Sequence, residues 1–121
     1  MNRRMWTLLP AALALVLATQ AAAHTQLERA VPAAGSTVTV SPARLTLWFS
    51  QRLEPAFSRV QVLNPDGQQV DKGDSQVDPA DTKQIGVSLP GLEPGTYRVL
   101  WRVLSTDSHV NEGDFTFDVR P

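Results

Sequence analysis

The chain has 121 residues, nine prolines, seven glycines, no cysteine and a formal net charge of −1. Without cysteine there is neither a disulfide framework nor a thiolate metal site to consider. A near-neutral balance with no basic run leaves no electrostatic footprint for nucleic acid or an anionic membrane surface.

Residues 1–23 have the marks of an export signal. Arg3 and Arg4 form a positive start, Leu8 to Ala18 an apolar run, and Ala21-Ala22-Ala23 a small-residue cleavage pattern. The run is 11 residues long and contains Pro10, short of the roughly 20 residues that a membrane span needs. Cleavage after Ala23 leaves one domain, residues 24–121. Losing Arg3 and Arg4 leaves nine basic against twelve acidic side chains there, a net charge of −3. The mature protein is expected outside the cytoplasm, as a monomer that neither inserts in a membrane nor binds nucleic acid. Met1 and Met5 depart with the signal, so any metal ligands in the mature chain are nitrogen and oxygen.

Period-two alternation dominates the rest. After the turn Pro32-Ala33-Ala34-Gly35, Thr37 to Val40 is a weak strand candidate. Leu45, Leu47 and Phe49 then alternate with Thr46, Trp48 and Ser50, the pattern of a strand with one buried face. Val60 and Val62 alternate with Arg59, Gln61 and Leu63 before the turn Asn64-Pro65-Asp66-Gly67, and Gln68 to Lys72 is a second weak candidate. The segment from Gly73 to Asp81 is polar and acidic and reads as a solvated loop. Further strands are expected at Ile85 to Leu89, at Tyr97 to Leu104 and at Phe115 to Val119, with Tyr97, Val99, Trp101 and Val103 facing the core. About seven short strands with Gly/Pro turns predict an all-β, immunoglobulin-like Greek-key sandwich. A small Greek-key barrel is the alternative.

Two places carry chemistry. Ser105, Asp107 and His109 continue the inward parity of the preceding strand, but an unpaired carboxylate cannot continue a core. The strand is therefore expected to leave the sandwich near Ser105, with Asp107 and His109 side by side on an extended chain at the rim. His24 is the other place, since cleavage after Ala23 would make it the first residue. Its α-amine and imidazole could then chelate one ion. With Asp107 and His109 they would form an N/O donor set of the kind that suits Cu(II). Zinc remains open on the same ligands. Ser105, Ser108, Asp107 and His109 lack the Gly-x-Ser-x-Gly elbow of a nucleophilic site.

The start His24-Thr25-Gln26-Leu27, the run Leu45-Thr46-Leu47-Trp48-Phe49-Ser50, the run from Gly95 through Tyr97, Val99, Trp101, Val103, Ser105 and Asp107 to His109, and then Gly113 and Phe115-Thr116-Phe117 together resemble the CopC family of periplasmic copper-resistance proteins. That resemblance covers residues 24–121. It implies a Greek-key β-sandwich in the periplasm that binds Cu(II) without catalysis, through His24, Asp107 and His109, and that works beside a CopD-type inner-membrane protein. The methionine-rich Cu(I) site of some members has no counterpart here. The alternatives are a copper-dependent oxidative enzyme built on the same two histidines, and a metal-free immunoglobulin-like interaction module in which His24 and His109 lie apart.

Overall fold

A computed structural model describes residues 25–121. The expected export signal over 1–23 and the candidate ligand His24 lie outside the described residues. The described residues form eight strands: β1 Leu27–Val31, β2 Thr37–Val38, β3 Arg44–Phe49, β4 Arg59–Leu63, β5 Gln76–Val77, β6 Gln84–Ser88, β7 Gly95–Leu104 and β8 Val110–Val119. A single turn of 3-10 helix, Pro55–Phe57, precedes β4. The strands make two four-stranded sheets, ordered β1-β3-β6-β5 and β2-β8-β7-β4. Every pairing is antiparallel except that of β2 with β8. The architecture is the expected immunoglobulin-like sandwich.

Alternation explains the layers directly. Leu45, Leu47 and Phe49 of β3 face Val60 and Val62 of β4 and Val99 and Val103 of β7, and all of them are fully buried. Ile85, Val87, Phe117 and Val119 complete that interior with Tyr97, whose ring stacks on Phe117 at 5.7 Å. Burying each such side chain contributes about 1.5–3 kcal/mol, so a core of this size can hold the domain without disulfides. The outward face mixes charged residues with half-buried ones such as Trp48, Leu63 and Leu100. Arg98 pairs with Asp114 at 2.8 Å and Arg102 with Glu112, exposed ion pairs that each contribute little. Arg29 lies 4.6 Å over the Trp48 ring on the opposite sheet, a cation–π contact.

Several expectations need correction. The segment 73–81 is not wholly a solvated loop, because Gln76–Val77 pairs with β6 and buries Val77. Leu27–Val31 forms an edge strand without clear alternation, its exposure mixed along its length. Thr37 to Val40 shortens to Thr37–Val38, leaving Val40 77% exposed. Gln68 to Lys72 makes only one bridge, Gln69 with Leu63, because the Asp71 carboxylate takes the Val62 N–H at 2.8 Å. β8 begins five residues before the expected Phe115, at Val110, because the whole of β7 pairs with it back to Leu104↔Val110. Trp101 has the predicted parity but is only half-buried, at the margin of the core against Phe49 and Phe115.

Candidate metal centre

The tip of the β7–β8 hairpin carries Asp107 and His109. β7 ends at Leu104 because the next residue is tied elsewhere. Ser105 bridges Leu53, the Glu54 N–H donates to the Leu104 carbonyl at 2.8 Å, and the Thr106 N–H donates to the Arg52 carbonyl at 2.9 Å. The chain then reverses within Ser105–His109. The Ser105 N–H donates to the His109 carbonyl and the Ser108 N–H to the Ser105 carbonyl, each at 2.9 Å. Ser108 takes the left-handed conformation, φ 73°, which closes the turn. The run-out near Ser105 is as expected, but Asp107 and His109 meet across a tight turn and not along an extended strand.

Ser105 organises this turn from inside. It is 1% exposed, and its hydroxyl donates to Asp107 Oδ1 while accepting the His109 N–H at 3.2 Å. That donated hydrogen bond holds the Asp107 carboxyl below the usual carboxylate range, and His109 adds to the effect. His109 Nδ1 stands 3.2 Å from Asp107 Oδ1, with the two side chains 48% and 41% exposed. Two donors about 2.0–2.2 Å from one ion and at right angles to each other stand about 3 Å apart. The pair therefore has the spacing of adjacent ligands on a single cation, and solvent reaches both. Among the described residues, no group of three or more His, Cys, Asp or Glu side chains is assembled for a metal.

The first described residues are drawn to the same end of the sandwich. Thr25 is 1% exposed, and its carbonyl accepts a hydrogen bond from Asn111 Nδ2 at 2.6 Å across 86 positions. Gln26 is held by the other sheet: its N–H donates to Ser50 Oγ at 2.9 Å, and its carbonyl accepts the Ser50 N–H at 2.8 Å. Asn111 lies two residues beyond His109. Sequence reasoning missed Asn111, Thr25 and the role of Ser105. The available signal was an amide at a core-facing position of β8, since a buried polar group needs partners.

The sequence matches the CopC domain family over residues 27–120. It is 37% identical over 99 residues to the protein YobA of Escherichia coli (strain K12), covering 81% of this chain and 80% of that one. It is 36% identical over 125 residues to copper resistance protein C of Escherichia coli, covering 93% of this chain and 94% of that one. The crystal structure of CopC from Methylosinus trichosporium OB3b superposes with a TM-score of 0.76 at 35% identity, over 81% of this chain and 95% of that one.

Proposed function

This chain belongs to the CopC family, and on that premise we propose that it is a periplasmic Cu(II) carrier without catalytic turnover. Residues 1–23 direct export and are removed after Ala23. His24 then supplies its α-amine and imidazole, Asp107 a carboxylate and His109 an imidazole. The observation that carries the proposal is the Asp107–His109 pair at 3.2 Å on the solvent-facing hairpin tip, at the end of the sandwich where Asn111 grips Thr25. A relative named for copper resistance supports copper as the cargo.

The donor chemistry supports the oxidation state. Nitrogen and oxygen suit Cu(II), whereas Cu(I) favours the sulfur that residues 24–121 lack. These ligands would hold Cu(I) more weakly than Cu(II), and a CopD-type inner-membrane protein would be the recipient of the ion. What the chain's own residues do is bind and orient. The Ser105 hydroxyl orients the Asp107 carboxylate by the hydrogen bond it donates, and the hairpin turn keeps His109 beside it.

The test compares protein beginning at His24 with protein carrying one extra residue before it, which turns the amine into an amide. Cu(II) titration of the first should give one ion per chain, and the extended form should bind weaker by orders of magnitude with its fold unchanged. Equal affinity would overturn the N-terminal chelate. His109→Ala should weaken the site as well.

A further inference from the structure

The structure assigns Trp101 and Asn111 as a positioning relay that clamps the backbone at Thr25 and so delivers His24 to Asp107 and His109. The inference rests on the copper reading above for its purpose, but not for its geometry.

The relay starts from a packed ring. Trp101 lies opposite Gly113 across the β7–β8 ladder, and its indole occupies the space that a side chain at 113 would fill. Phe49 meets the ring edge-on at 6.1 Å and Phe115 at 6.0 Å. So held, Nε1 donates to Asn111 Oδ1 at 2.8 Å.

An indole N–H can only donate, so the amide atom facing it must be the oxygen. That settles which way the Asn111 amide points and turns its NH2 toward the Thr25 carbonyl, at 2.6 Å. Flipping the amide would set two donors against each other at one end and two acceptors at the other.

The clamp has a second jaw. The Gln26 N–H and carbonyl both bond to Ser50, so consecutive backbone groups are tied to opposite sheets. The backbone from which His24 extends is therefore anchored by Asn111, which follows His109 by two residues at the start of β8. An amine and an imidazole on a loose terminus would have to be ordered by the ion at an entropic cost. The relay removes much of that cost beforehand.

The test uses protein beginning at His24, with Asn111→Leu, which keeps the bulk and loses both bonds, and Trp101→Phe, which keeps an aromatic ring and loses the N–H. The metal-free readout is the heteronuclear NOE of the Thr25 amide, with Val99 and Phe117 as core controls. Asn111→Leu should drop the Thr25 value to that of a frayed end while the controls hold, and Trp101→Phe should fall between. In Cu(II) competition titrations Asn111→Leu should bind about 10–100-fold more weakly, the range for losing a group that orients a ligand. A Thr25 amide as ordered in Asn111→Leu as in the wild type would overturn the clamp. A loosened Thr25 with unchanged affinity would overturn its role in positioning. Failure of the wild type itself to bind Cu(II) would overturn the copper reading, while the NOE still decides the clamp.

Discussion

Replacing Gly113 with alanine should be far more damaging than a one-carbon change on a strand suggests. A Cβ at 113 would stand 2.7 and 2.8 Å from Cε2 and Cη2 of Trp101, and nearer still to Cζ2. These are atoms of a rigid fused ring already wedged between Phe49 and Phe115, so the indole must move as a whole. Overpacking of this kind costs typically 1–3 kcal/mol. Displacing the ring also breaks the bond to Asn111, worth about 0.5–1.5 kcal/mol. Together Gly113→Ala should lose about 2–4 kcal/mol, a drop in Tm of roughly 10–20 °C for a domain near 100 residues. Urea unfolding followed by circular dichroism measures it, and a double-mutant cycle isolates the cause. With Trp101→Val present, the space at 113 is open, and Gly113→Ala should then cost under about 0.5 kcal/mol, giving a coupling energy of about 2 kcal/mol. An equal penalty in both backgrounds would refute the steric origin, and no penalty in the wild type would refute the placement of the ring.

Three further outcomes are expected. Thr25 Oγ1 is buried without a hydrogen-bond partner among the described residues, so the near-isosteric Thr25→Val should stabilise the domain by about 1 kcal/mol in urea unfolding; a comparable loss would mean that the hydroxyl is satisfied. Ser105→Ala removes the donor that keeps the Asp107 carboxyl below the ordinary range, so NMR titration of its Cγ should show the pKa rising toward the usual value near about 3.9, and an unmoved titration would reject that cause. Cu(II) binding should fade in acid because protons compete for the ligands. The Asp107 shift is downward, so that carboxylate stays charged until the pH falls below the ordinary carboxylate value near about 3.9. Asp107→Asn should therefore weaken binding by the same factor at each pH through the acid transition, since a weaker site also releases its ion at a higher pH, and a factor that vanishes as the pH falls would assign the transition to the carboxylate.

Most of the layered fold is legible in the order of the residues. Period two at Leu45-Leu47-Phe49, Val60-Val62 and Tyr97-Val99 marks an inner face whatever the partners are, because successive side chains of a strand must point to opposite sides. It also identified where the chain leaves the core, since Asp107 and His109 stand at a parity that a core would not tolerate. The remainder came from contacts between distant segments. The edge strands β1 and β5 owe their conformation to ladders with β3 and β6, and Leu27-Glu28-Arg29 has no local pattern that announces it. Whether Asp107 and His109 lie along a strand or across a turn depended on Ser105 being captured by Leu53 and by the His109 carbonyl. The grip of Asn111 on Thr25 joins residues 86 positions apart. Local periodicity reports which face a residue occupies, whereas a hydrogen bond between distant segments exists only once the packing of two sheets has brought their ends together.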